Sequence, residues 1–297
     1  MVDTTSAQGR TQSGAGGSVA DTVARFRQRF LERIAAGNFE LPLLPEVATR
    51  VMSATQDENC DAKKLSEMIH RDAALAGHVL RVANSPLYAP TVPIVSLQQA
   101  VSRLGMKKIR EISLLVACQA KVFRVPGFDA ALRAIFKHCI AAAAYAQEIA
   151  RMRRWNVEES FLCGLLHDAG KPVLLQLLAD VQKEMKIGVE AGLVDDVFDE
   201  MHGSVGSRLV ESWKLPERVA ETIACHHRPQ DAASAGQSAM MTNLADDLAH
   251  FAVGPRAVTE EAVRSHPMLV PLNVYREELD QLIAKKSNVT AAAESLL

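Results

Sequence analysis

The feature that most constrains this chain is a succession of apolar segments at helical spacing, broken by proline and glycine, with no strand-like alternation anywhere. Val19, Val23, Phe26, Phe30 and Ile34 share one helical face until Gly37-Asn38 stops the run. Pro42 and Pro45 precede a second amphipathic segment from Val47 to Thr55. Asp61 is placed to cap a helix bearing Leu65, Met68 and Ile69. A helix over Ala73–Ala83 must end before Pro86, which disfavours helical geometry at Ser85. Residues 84–95 hold three prolines and no helical period, so a loop is expected there. Ser96 then caps a helix with Leu97, Ala100, Val101 and Leu104; Gly105 punctuates it, and Ile109 to Val122 continues the apolar stripe. Beyond Pro126-Gly127 the pattern predicts helices over 129–153, 157–168, 173–191, 195–213, 217–227, 237–251 and 275–287. The expectation is an all-α, multi-helix fold.

Four regions follow. Residues 1–17 are rich in Ser, Gly, Thr and Gln and read as a disordered lead. An N-terminal helical subdomain is expected over 18–126, a second helical domain over 127–253, and a helical tail over 254–297, which either docks on the body or pairs with another chain. No apolar run approaches the roughly 20 residues needed to span a bilayer, which excludes a membrane-spanning helix. The first residues show no basic stretch followed by an apolar core, so no secretory signal is read and a cytoplasmic location is expected. Lys and Arg total 33 against 35 Asp and Glu, a balance that argues against a dedicated nucleic-acid binder. The five cysteines lack CxxC spacing, so neither a disulfide framework nor a thiolate zinc knuckle is expected.

The residues that can carry chemistry are histidines and two carboxylates. His167-Asp168 ends the apolar stretch FLCGLLHDAGK, which places an imidazole and a carboxylate at the edge of a core helix. Burying that carboxylate without a partner costs several kcal/mol, so a cation or donors should lie near it. His138 sits 29 residues upstream in the longest helix, His202 34 residues past Asp168, His226-His227 at the end of ERVAETIACHH, and Asp246 in NLADDLAH. If they converge, imidazoles and carboxylates suit Fe, Mn, Zn, Ni or Co without choosing among them, as one ion or two. A carboxylate such as Asp168 can bridge two ions, and paired ions about 3.5–4 Å apart form a clamp for phosphoester cleavage. The alternative is a buried hydrogen-bond network that holds helices together. Asp246 competes with Asp247 for the inward position, and His227 can instead cap a helix end.

The order His138, His167-Asp168, His202, His226-His227, Asp246 resembles the HD superfamily of metal-dependent phosphohydrolases, in particular its HD-GYP branch. The segments LPLLPEV, RDAAL, LRVANSPLY, SLQQAVSRLG, HDAGK and SWKLPE, in that order over roughly residues 38–252, resemble the HDOD domain of bacterial signalling proteins. The resemblance implies an HD-type domain over 127–253 packed on the N-terminal subdomain. It implies metal positions at His138, His167, Asp168, His202, His226, His227 and Asp246, and a phosphate-interacting role for Lys171, with Asp168 and Lys171 as the catalytic candidates. The chain departs from HD-GYP enzymes in two places: RPQDAASAG replaces the Gly-Tyr-Pro triplet after the histidine pair, and Ala134 stands one turn before His138 where some members carry an acidic ligand to a third metal. The function implied is bacterial signal transduction, through contacts with other signalling proteins or by sensing a ligand such as a nucleotide. The alternative is a metal-dependent phosphohydrolase acting on a nucleotide, with His138, His167 and Asp246 holding one ion and His202, His226 and His227 the other. No kinase, receiver or GGDEF-like segment is seen, so the input is expected from a separate protein.

Among the remaining candidates, His70 and His78 are expected to be solvated, and the arginines at 25, 27, 29 and 33 to form a solvated face. Asn84 and Ser85 are expected to fix a bend, with a partner-binding loop as the alternative.

Overall fold

A computed structural model describes residues 19–297 except 86, 87, 89, 91, 120–122, 189, 190 and 255, so the expected disordered lead lies outside the described residues. Among those described, every regular element is helical and none is a strand. The N-terminal elements are α1 (Val19–Ala35), α2 (Glu46–Ala54), α3 (Ala62–Ile69), α4 (Ala73–Ala83) and α5 (Leu97–Ala117). Then come α6 (Asp129–Arg153), α7 (Val157–Leu166), α8 (Gly170–Met185), α9 (Asp195–Ser212), α10 (Glu217–Cys225) and α11 (Gly236–Val253). The chain closes with α12 (Glu260–Arg264), α13 (Arg276–Ala284) and α14 (Lys286–Ser295). No helix among the described residues is long and apolar enough to cross a membrane.

Local chemistry sets the boundaries. Asp61 accepts the Lys64 amide at 2.8 Å and Ser96 accepts that of Gln99 at 3.4 Å, as their positions before apolar runs imply. Asn156 opens α7 by accepting the amides of Glu158 and Glu159, each at 3.1 Å. Gly105 adopts a positive φ of 80° inside α5, so the punctuation expected there is a kink and the helix resumes beyond it. Asn84 bonds both the amide and the carbonyl of Ile94, each at 2.8 Å, and so fixes the bend into α5.

Several boundaries differ from those the pattern predicts. α7 stops at Leu166 and α8 begins at Gly170, which leaves His167 and Asp168 on the turn between them. Pro172 falls in the first turn of α8, where its missing N–H costs nothing. α10 likewise ends at Cys225, and His226-His227 form the turn beyond it. The tail holds three helices instead of one, and α14 docks on α6 and α11. Thr290 donates to the Ala252 carbonyl at 3.4 Å, Lys137 pairs with Glu294 at 2.8 Å, and Ala293 is fully buried.

Three apolar clusters organise the body. Val51, Leu65, Ile69, Val79, Val101 and Ile109 form one within α2–α5. A second joins α6 to α11 and α13 through Tyr145, Ile149, Leu244, Leu248 and Leu282. The largest joins α6–α10 and includes α1, whose Phe26 and Phe30 are fully buried there; Phe30 stacks on Phe198 with centroids 6.1 Å apart. α1 therefore packs on α8 of the later half of the chain, in a cluster that Leu114 and Leu115 of α5 also join. Its arginines follow: Arg27 pairs with Asp196, and Arg29 with Glu184 at 2.7 Å. His70 is exposed, but His78 is not solvated as expected, because its Nε2 bonds the Leu296 carbonyl at 3.0 Å.

Alanines let the elements around the site approach closely. Ala141, Ala142 and Ala143 of α6 are buried, and α7 crosses them at Gly164. A Cβ on Gly164 would lie 2.6 Å from Ala143 Cα and 2.8 Å from the Ala142 carbonyl oxygen, contacts that only a backbone shift relieves. Gly164→Ala should therefore lower unfolding stability by about 1–3 kcal/mol, measured by urea denaturation with the denaturant slope unchanged.

Candidate metal centre

Six helices, α6 to α11, and the turns at their ends converge on one point. His138 projects from α6, His167 and Asp168 from the α7–α8 turn, Lys171 from the first turn of α8, and His202 from α9. His226 and His227 come from the turn after α10, and Asp246 from α11. All seven imidazole and carboxylate residues named from the sequence meet here. His138, His167, Asp168, His202, His226 and Asp246 are each no more than 4% exposed, whereas His227 is exposed.

The seven form two groups with Asp168 between them. The nearest ligand-type atoms of His138, His167 and Asp246 lie within 4.8 Å of one another, as do those of His202, His226 and His227. Asp168 Oδ2 faces the first group, 3.5 Å from His167 Nε2 and 3.8 Å from His138 Nε2. Its Oδ1 faces the second, 3.4 Å from His202 Nε2. Lys171 donates to Asp168 Oδ2 at 2.7 Å. Of the two adjacent aspartates, Asp246 turns inward, with Oδ1 2.9 Å from His138 Nε2. Asp247 turns outward to Arg256 and to His266, 3.3 Å away. Ala134 is exposed and takes no part.

Tautomer logic decides what this arrangement accepts. His167 Nδ1 bonds the Gly164 carbonyl at 2.8 Å, His202 Nδ1 that of Phe198 at 2.7 Å, and His226 Nδ1 that of Ile223 at 2.7 Å. A carbonyl only accepts, so the proton of each neutral ring is on Nδ1 and Nε2 presents a lone pair. These carbonyls lie three or four residues back; those of Gly164 and Ile223 are among the groups that a helix C-terminus leaves unpaired, whereas that of Phe198 lies within α9. Yet His202 Nε2 stands 3.2 Å from His226 Nε2, and Asp168 Oδ1 is buried with no hydrogen-bond partner among the described residues. Lone pairs aimed at one another beside an unsatisfied carboxylate oxygen repel unless a cation lies among them. The donor set therefore fits a divalent metal.

Protonation is a poor substitute for the ion on the His202 side. Burial, then the neighbouring His167, His227 and His202, pushes His226 well below the ordinary imidazole value. Burial also lowers His202 and His227. For Asp168, burial opposes the charge, but the Lys171 ammonium and the imidazoles around it outweigh burial and hold the carboxyl well below the usual range. For Asp246, burial is likewise outweighed, by hydrogen bonds from His138 and His167.

One member was missed in the sequence. His250 lies one turn after Asp246 on α11, its ring 4.2 Å from that of His138 and its Nε2 3.5 Å from Asp246 Oδ1. Burial and the neighbouring His138 lower it to about 4. The i,i+4 spacing in NLADDLAH was the available signal.

A helical body with a buried His/Asp cluster at the meeting of six helices is the arrangement that the sequence resemblance implied. The HDOD domain family model matches residues 41–229, and the chain belongs to that family. Its fold is shared with a protein of Shewanella amazonensis SB2B provisionally classed as a metal-dependent phosphohydrolase, at 21% identity and a TM-score of 0.69 over 92% of this chain and 99% of that one. It is shared too with a protein of Marinobacter aquaeolei VT8 provisionally classed in signal transduction, at 23% identity and a TM-score of 0.65 over 93% of this chain and 65% of the other. Among curated sequences, an "Uncharacterized protein" of Treponema pallidum (strain Nichols) is 23% identical over 198 residues, 63% of this chain; the match spans 38% of that relative's length.

A bound ion should stabilise the folded chain through the second group. Zn²⁺ at about 100 times its dissociation constant should add about 2.7 kcal/mol, seen as a rise in Tm. In His202→Ala that rise should vanish while the fold persists by circular dichroism.

Proposed function

We propose that the chain is a signalling regulator of the HDOD type, built around a divalent metal centre and acting through contacts with partner proteins. The observation that supports this reading is the set of buried, proton-free imidazole nitrogens facing one another and Asp168, supplied by separate helices. When bound, the ion supplies positive charge at that point. His202 ties α9 to it, the His226-His227 turn ties α10, and Asp168 ties the α7–α8 turn. Occupancy and helix packing are then linked, and a state that holds these groups together is favoured over one that separates them. A partner that reads the packing of α8–α10 reads the centre. The Marinobacter aquaeolei VT8 relative, provisionally classed in signal transduction, agrees with this reading.

A second reading, metal-dependent hydrolysis of a nucleotide phosphoester, is favoured by one observation. Lys171, with its side chain 22% exposed and beside the solvent-facing edge that exposed His227 also reaches, puts an ammonium at the cluster's opening. Lys171 would neutralise charge on a phosphoryl group there, and Asp168 would orient that ammonium.

Chelator-free purification followed by elemental analysis and a bis(p-nitrophenyl) phosphate assay with Mn²⁺ or Fe²⁺ separates the two. The expected outcome is bound metal with no turnover above that of Asp168→Ala. Turnover that disappears in Asp168→Ala would support the hydrolase. A chain without metal, whose Tm ignores every added ion, would remove both.

A further inference from the structure

The two halves of the histidine cluster differ in what they lack. On the His138 side every facing atom already has a donor in reach. His138 Nδ1 has no partner among the described residues, so its proton is free to occupy Nε2. From there it meets Asp246 Oδ1 at 2.9 Å and lies 3.1 Å from the lone pair of His167 Nε2. His250 crowds the same Asp246 oxygen at 3.5 Å. The other carboxylate oxygen facing this side, Asp168 Oδ2, accepts from the Lys171 ammonium at 2.7 Å. One ring proton, shared between Asp246 and His167, and one lysine thus put a donor within reach of each of these inward-facing atoms, while the unpartnered Nδ1 atoms of His138 and His250 belong to neither contact.

The His202 side has no such closure. His202 and His226 commit their protons to the carbonyls of Phe198 and Ile223. His227 Nε2, 3.1 Å from His202 Nε2, can lend at most one proton to that neighbour. His226 Nε2 and Asp168 Oδ1 then remain buried without a donor. A buried acceptor left in that state costs about 1–3 kcal/mol, more when charged, so this half alone demands a cation.

We infer that the cluster is built to hold one ion, at His202, His226, His227 and Asp168 Oδ1, and that Lys171 closes the His138–His167–Asp246 half in place of a second ion. This deepens the metal-centre reading and rests on it. Three imidazoles and one carboxylate oxygen suit Zn²⁺, Fe²⁺, Co²⁺ or Ni²⁺. The exposed His227 leaves this half open to exchange with solvent ions. A single ion also cannot form the paired clamp that holds both the attacking and the leaving oxygen of a phosphoester. Lys171 is a gatekeeper of stoichiometry in this scheme.

The test is calorimetric titration of the chelator-stripped chain with Zn²⁺, with zinc counted after desalting and Co²⁺ absorption as a second readout of coordination. One ion per chain is expected. Asp246→Asn, which touches only the closed half, should leave that affinity essentially unchanged. His226→Ala should weaken it at least about 100-fold, the upper end of what loss of a mere supporting residue causes. Lys171→Met should admit a second ion while the Co²⁺ spectrum of the first persists. Two ions of similar affinity in the unaltered chain, equal losses in Asp246→Asn and His226→Ala, or a folded Lys171→Met that still takes one ion would each overturn the inference. No binding of either ion would instead overturn the metal-centre reading itself.

Discussion

The interaction on which the structure turns is the hydrogen bond that three core imidazoles make to a carbonyl three or four residues back in their own helix. Those bonds at His167, His202 and His226 fix both the direction and the tautomer of the rings. At the ends of α7 and α10 they use carbonyls that would otherwise stand unpaired in the core, and within α9 the Phe198 carbonyl takes a second donor, which leaves three nitrogen lone pairs aimed at a common centre. Secondary structure and site are therefore one construction. The helix ends at Leu166 and Cys225 are where they are because the residues that follow are the ones that point inward.

Asp168 gives that centre its two-sidedness. A carboxylate buried among imidazoles has two oxygens with different neighbours, and here one faces an ammonium and the other faces only nitrogens. The electrostatic consequence is a cluster whose halves are alike in composition and unlike in need.

Much of this was legible in the residues. Helical periodicity with Pro and Gly breaks was enough for the all-α class, and capping chemistry placed the starts of α3 and α5 at Asp61 and Ser96. The histidines and aspartates stood out as candidates in the residues, and the family resemblance was what named all seven groups that the structure brings together and chose Asp246 over Asp247. What stayed hidden depends on distant contacts. The gap between α7 and α8 exists because Gly170 must pass the His202 carbonyl, which no local pattern reports. α14 has an alanine-rich stripe too weakly apolar to stand out, and only the surface of α6 and α11 makes it a docking face. His78 finds the Leu296 carbonyl across more than two hundred residues, and Phe26 and Phe30 of α1 are buried in the cluster that α8 shares.

The contact between α8 and α9 has a mechanical meaning. A Cβ on Gly170 would come within 2.0 Å of the His202 carbonyl oxygen, and the Gly206 amide nitrogen is only 2.8 Å from the same point. With main chain against main chain, no rotamers intervene to be reshuffled, and two rods welded in this way travel as a single strut. Any displacement of α8 then takes α9 with it, and the strut keeps Asp168 and His202 in fixed register.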